Sequence, residues 1–180
     1  MLMALTQAAQ IQTLHLLLLQ GITIEESSFT VQLGHNVKQC RPNFNIQSVT
    51  FIAYTKDARI CVCETLRAYI GKTVPFRSNL LQSGIRLIVS FVKPHQPVSK
   101  DSISRWIKIV LGLAGIDTTM FTAGSVRPEV ATKAKALVVP IHCIMARAGW
   151  THKTTIAKFY DKPIVICSDP FQDNILYMAN

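Results

Sequence analysis

Acidic residues are scarce in this chain. Ten Asp and Glu stand against nineteen Lys and Arg in 180 residues, a formal charge of +9. That balance suits a polyanion. Charge alone leaves a basic protein with no nucleic-acid role equally open. Long apolar runs are lacking too. The apolar stretch from Leu14 to Leu19 falls well short of the ~20 residues a membrane helix needs. It has no positively charged lead-in and no small-residue cleavage site, so neither a membrane span nor a secretory signal is expected. The protein is placed inside the cell, and in the nucleus if it works on chromosomes.

Other absences remove whole chemistries. There is no Gly-rich phosphate loop, and Ser27-Ser28 has no Gly-x-Ser-x-Gly setting. His35, His95, His142 and His152 are dispersed, with no i, i+4 pair of the kind a helical metal site uses. They read as surface or loop residues, and no metal is expected. The five cysteines (Cys40, Cys61, Cys63, Cys143 and Cys167) are odd in number with one close pair, so they read as reduced, buried thiols. Cys61-Val-Cys63 alternates as strand residues would. What is present is a chain with 49% hydrophobic residues, enough for one domain with a real core. No repeat or long linker divides it.

The pattern predicts a helix, a small sheet, then helices. Residues 3–19 lack Gly and Pro and read as one helix stopped by Gly21. Residues 28–33 alternate polar and apolar, as a half-buried strand does. Residues 48–54 form a second strand, paired antiparallel with the first across a turn-rich loop at 34–43. A helix is expected over 60–70, ended by Gly71, and a short strand over 86–90. Ser99 or Asp101 caps a further helix in which Ile103, Trp106, Ile107 and Val110 share a face, with Trp106 in the core. Helices follow over 129–138, over 141–148 up to Gly149, and over 154–160 before Pro163.

Two residues carry chemistry beyond that pattern. Tyr160 closes the run Ala148-Gly-Trp-Thr-His-Lys-Thr-Thr-Ile-Ala-Lys-Phe-Tyr160, and Arg127 closes Ala123-Gly-Ser-Val-Arg127. A phenol is a covalent nucleophile for a phosphodiester, and a guanidinium clamps its non-bridging oxygens. Taken singly, each is an ordinary packing or surface residue. Together with residues 91–108, which begin Phe91-Val-Lys-Pro-His95, and with Ala114-Gly-Ile-Asp117, Ala148-Gly-Trp150 and Phe159-Tyr160-Asp-Lys-Pro163, they resemble one family in order and wording. The chain resembles the catalytic domains of tyrosine recombinases of the phage-integrase type, above all those of DIRS-like retrotransposons and the animal genes derived from them. The likeness covers residues 5–165.

The resemblance implies an α+β, mainly α-helical fold with a small antiparallel β-sheet near the N-terminus, as a single catalytic-type domain over 1–180 with a tail at 161–180. It implies DNA recombination and integration, through attack of a tyrosine on a DNA phosphate to form a 3′-phosphotyrosyl bond. It implies no metal or nucleotide cofactor. Two arginines hold the phosphate, a hairpin lysine protonates the leaving 5′-oxygen, and two histidines, the second often tryptophan, assist. Tyr160 matches the nucleophile, Arg127 the second arginine and Trp150 the histidine-or-tryptophan position. Lys38, in the loop between the two strands, matches the hairpin lysine, and a solvated loop lysine is an equal reading. Arg41 fits a phosphate-backbone contact. Lys93, Lys100, Arg105, Lys108, Lys153 and Lys158 are candidates for a basic DNA-facing surface, or for a plain solvated face.

Two positions depart from the family. The His-x-x-Arg box reads Gly124-Ser-Val-Arg127, without its histidine. The Thr-Gly-Gln-Arg pattern of the first arginine meets Gln7-Ala-Ala-Gln10, which puts Gln10 where the first arginine belongs. Glutamine has neither charge nor bidentate fork. Losing such a transition-state donor costs about 3 kcal/mol, a hundredfold or more in rate. Catalysis is therefore expected to be weak or lost. The alternative to a working recombinase is a domesticated or truncated remnant that binds DNA or partners only. The N-terminal DNA-clamp domain of the family is expected to be absent. By resemblance the assembly is a tetramer on DNA with exchanged C-terminal segments. The tail docks on a neighbour through the apolar run Ile164-Val-Ile-Cys167 or folds back on its own domain.

Overall fold

A computed structural model of the chain describes residues 1–34, 48–77, 86–150 and Thr154. The first helix of the sequence reading is two helices. Helix α1 spans Leu2–Gln7 and α2 spans Ile11–Leu16. Ala8 adopts the left-handed conformation (φ 44°, ψ 39°), and Gln10 is extended at the start of α2. A helix cannot run through such a turn. The break lets α1 and α2 present separate apolar faces. Ala4 joins Leu14 and Leu17 in the main core, while Ala8 packs into a second cluster.

After α2 the chain becomes extended. Leu17 bridges to Leu33 and Leu18 to Arg86, ending the helix short of the predicted residue 19. The sheet has three antiparallel strands in the order β1 (Thr23–Ile24), β2 (Ser28–Gln32) and β3 (Ser48–Ile52). β1 was not foreseen. Its two residues are exposed and carry no hydrophobic alternation for a sequence to show. β2 and β3 pair in the expected antiparallel sense, Phe29 opposite Phe51 and Thr30 opposite Thr50. Alternation sends Phe29, Val31 and Phe51 into the core, while the Thr30 and Thr50 hydroxyls meet at 3.0 Å on the other face. Direct cross-strand aromatic pairs are among the stronger sheet contacts.

Helix α3 runs over Val62–Thr73, passing through Gly71 where a stop was predicted. Cys61 precedes α3 and Cys63 lies in its first turn, not in a strand. Both are buried, as expected of these thiols, but Cys143 is exposed; Cys40 and Cys167 lie outside the described residues. Burial raises the Cys63 thiol, whereas backbone hydrogen bonds, that of Glu64 foremost, lower that of Cys61. The predicted strand at 86–90 is a pair of isolated bridges, Leu18 to Arg86 and Val89 to Pro97. Arg77 fixes this segment to α3. Its guanidinium is buried, donates to the Thr73 hydroxyl and to the carbonyls of Arg86 and Leu87, and is pushed to lower pKa by burial.

Helix α4 covers Lys100–Leu113, with the Ser99 hydroxyl accepting the Ser102 amide at 3.1 Å as its N-cap. Ile103, Ile107 and Leu111 are buried, each worth ~1.5–3 kcal/mol of apolar burial. Trp106 and Val110 are instead 38% and 40% exposed, so Trp106 is not core. Helix α5 begins at Val126, three residues before the expected start, and ends at Ala136; α6 spans Ile141–Ala148 as predicted. Gly149, at φ 66°, lets the Trp150 amide return to the Met145 carbonyl at 2.9 Å. This is the Schellman arrangement, and it turns Trp150 back into the cluster of Ala8, Ala131, Ile144 and Ala148.

Candidate functional site

Arg127 lies in the first turn of α5. The turn before it, Ala123–Ser125, is a 3₁₀ helix closed by a capping box: the Thr122 hydroxyl accepts from the Ser125 amide and the Ser125 hydroxyl accepts from the Thr122 amide. This fixes where α5 starts and hence where Arg127 leaves the backbone. The side chain is 5% exposed. Its Nη2 donates to the Ala148 carbonyl at 2.7 Å, and its guanidinium carbon stands 4.9 Å from the centre of the Trp150 ring. A cation over an indole face is attracted by the ring quadrupole. Two residues predicted from separate motifs are thus in direct contact. The guanidinium sits at the C-terminal end of α6, the negative end of that helix's dipole, where a cation is favoured.

Ala8 belongs to the same small cluster as Trp150. The Ala8–Gln10 turn is therefore built onto the junction of α5 and α6. Gln10 is the N-cap residue of α2, half-buried, with no capping hydrogen bond from its side chain. Gly124 is exposed in the 3₁₀ turn two residues before Val126. A Cβ built there meets the Thr122 hydroxyl at 3.5 Å, an ordinary contact. Arg147, which the sequence reading passed over, donates from Nη1 to Gln7 Oε1 at 3.2 Å and to the Thr50 carbonyl at 3.1 Å. Gln7 Nε2 donates to that same carbonyl at 2.8 Å. Their signal was invisible locally, because the partners are far apart in the chain.

Lys93, Arg105 and Lys108 are exposed. Lys93 and Arg105 line one groove of about 400 Å³ between the loop at 90–98 and the N-terminal half of α4. Lys108 lies one turn further along α4, away from that groove. Tyr160, Lys38, Arg41 and Lys153 lie outside the described residues, as do Lys158, His35, His152 and the tail 161–180. His95 is half-buried against Phe76, and His142 is exposed. Among the described residues, no three His, Cys, Asp or Glu side chains gather where a metal could bind, and no helix is long and apolar enough to cross a membrane.

Helices packed on a short antiparallel sheet make up a known fold class, the catalytic-domain fold of tyrosine recombinases. Two solved structures display it. One, a crystal structure of XerA recombinase, superposes with a TM-score of 0.57 at 18% identity over 98% of this chain and 54% of its own. The other, XerH site-specific recombinase bound to difH substrate in a pre-cleavage complex, gives 0.62 at 10% identity over 98% of this chain and 44% of its own. The chain thus spans about half the length of these recombinases. No family model and no curated protein matches it.

Proposed function

We propose that this chain is a DNA-binding domain of tyrosine-recombinase type, acting in DNA recombination, in which strand cleavage is attenuated. The observation that carries the reading is the contact of Arg127 with Trp150 at the joined ends of α5 and α6, within the recombinase fold. On this reading the Tyr160 phenolate attacks a DNA phosphorus, the bond to the 5′-oxygen breaks, and Lys38 supplies the proton that oxygen takes up. The phosphate remains on Tyr160 as a 3′-phosphotyrosyl ester until a 5′-hydroxyl attacks and reverses the step. Arg127 stabilises the charge that builds on the non-bridging oxygens. Arg41, Lys93, Arg105, Lys108 and Lys153 meet the backbone phosphates, which makes binding steeply salt-dependent. Family ancestry in DIRS-like elements, a nuclear setting and assembly as a tetramer on DNA belong to the same proposal.

Gln10 and Gly124 favour a second reading, a binding module that has given up catalysis. One neutral amide at Gln10 replaces a bidentate cation, at a cost of a hundredfold to a thousandfold in rate. The absent box histidine adds to this, although losses within one site do not sum.

Covalent trapping distinguishes the two. The chain is incubated with supercoiled plasmid and nicked duplexes, and denaturant-resistant adducts and relaxed plasmid are scored. An adduct from the natural chain that disappears in Tyr160→Phe supports cleavage. An adduct seen only after Gln10→Arg with Gly124→His places the loss at those two positions, and the exposed setting of Gly124, where a Cβ makes only an ordinary contact, predicts that the second change folds. An adduct that persists in Tyr160→Phe refutes Tyr160 as nucleophile, and absence of salt-sensitive DNA binding refutes the first reading and leaves only a partner-binding module of the second.

A further inference from the structure

Residues 88–98 form a pinned projection. Val89 bridges Pro97 in antiparallel sense. The Ser90 amide donates to the Gln96 carbonyl at 2.9 Å and the Val98 amide to the Ile88 carbonyl at 3.2 Å. The tip closes with the His95 amide on the Val92 carbonyl at 2.9 Å, and with the Val92 amide on the Ser90 hydroxyl at 3.1 Å. The His95 ring stacks on Phe76, with centroids 4.3 Å apart, and its Nδ1 lies 3.1 Å from the Ser90 carbonyl. At the base, the Tyr69 hydroxyl accepts from the Val89 amide at 2.9 Å, which ties the projection to α3.

All this fixes a tip from which Phe91 and Val92 face outward. Phe91 is 76% exposed and Val92 60%. Phe91 and Val92 are adjacent, so the tip presents contiguous apolar surface and not one scattered side chain, and such surface marks an interaction site. The charge around it selects which partner. Lys93 is on the tip itself, Arg105 lines the groove beside it, and Lys100 and Lys108 are exposed on the same helix α4, whose acid is Asp101. An apolar tip set among cations matches nucleic acid, which offers base faces between phosphates; a protein groove suits it less well.

We propose that Phe91 is an apolar wedge that enters the base stack of duplex DNA, while Lys93 and Arg105 hold the phosphates on either side. The proposal rests on the DNA-binding reading above. Insertion unstacks a base step and kinks the duplex, and the cost is smallest at pyrimidine–purine steps. Because the tip is ordered before binding, the gain from stacking is not consumed in fixing a loop.

The probe is a mixed-sequence duplex containing TA steps and 2-aminopurine, whose emission rises on unstacking. The natural chain is expected to raise the emission. Phe91→Ala is expected to abolish the rise and to weaken binding roughly fivefold to a hundredfold, with its salt dependence unchanged. Phe91→Trp is expected to retain both signals. Lys93→Ala and Arg105→Ala are each expected to lower the salt slope by about 1. Leu113→Ala, an equally exposed apolar change on α4, is expected to change nothing. If Phe91→Ala matches the natural chain while the lysine and arginine variants weaken, the wedge is wrong and the DNA-binding reading stands. Binding without any emission rise also overturns the wedge. Failure of the natural chain to bind DNA overturns both.

Discussion

Two Gly→Ala substitutions in this chain should have opposite effects. Gly149 sits at φ 66° and ψ 38° beyond α6. An alanine Cβ in that conformation crowds the following carbonyl, at about 1–2 kcal/mol. Alanine also restricts the unfolded chain and returns about 0.4–1 kcal/mol. The expected net loss is about 1 kcal/mol, and more if the bond from the Trp150 amide to the Met145 carbonyl is given up. Gly71 lies within α3, and a Cβ there meets nothing within 4 Å. Its replacement by alanine should gain about 0.5–1 kcal/mol from helix propensity alone. For a chain of this size the melting temperature should fall by about 2–4 °C in Gly149→Ala and rise by about the same or less in Gly71→Ala. Urea and thermal unfolding followed by circular dichroism measure both. Trp150 fluorescence should shift in Gly149→Ala alone, because that glycine sets the ring against Arg127. A neutral or stabilising Gly149→Ala would refute the Schellman ending of α6, and with it the placement of Trp150.

Arg77→Leu should destabilise by about 3 kcal/mol, because it strips the donor from the buried carbonyls of Arg86 and Leu87 and from the Thr73 hydroxyl; a urea midpoint within error of the natural chain would contradict this role. With a thiol reagent and peptide mapping, Cys143 should label at the rate of a free thiol. Cys61 and Cys63, 2% and 0% exposed, should label only on opening of the fold, despite the lowered pKa of Cys61. Rapid native labelling of Cys63 would mean that the β3–α3 packing is wrong.

Much of the fold was legible because local signals and tertiary structure agree. Ser99 reads as a cap and caps α4, Gly149 reads as a stop and ends α6, and the alternating run at 28–33 and the strand read at 48–54 pair as expected. The break between α1 and α2 was hidden because the left-handed residue is alanine. The family pattern has glycine at this place, and Ala8 carries no mark of a turn. Helix α3 runs through Gly71 because tertiary packing outweighs a propensity penalty of about 1 kcal/mol. Trp106 was misplaced because it shares an arc with Ile103 and Ile107, yet the buried line is Ile103, Ile107, Leu111, and Trp106 falls on its rim. Of the candidate site, Arg127 and Trp150 were singled out by separate motifs and lie in contact. Arg147 and Gln7, 140 residues apart in sequence, and the outward set of Phe91 depend on how distant segments meet, which no local window records.

The way Arg127 is held bears on timing. A free arginine side chain has about 2 kcal/mol of rotamer entropy. Here the bond to the Ala148 carbonyl and the seat on Trp150 remove most of it as the domain folds. Whatever anion reaches the start of α5 meets a side chain that is already ordered. If a DNA phosphate is the anion bound there, as proposed, little side-chain ordering is left for the moment of binding, and selection falls on fit more than on charge.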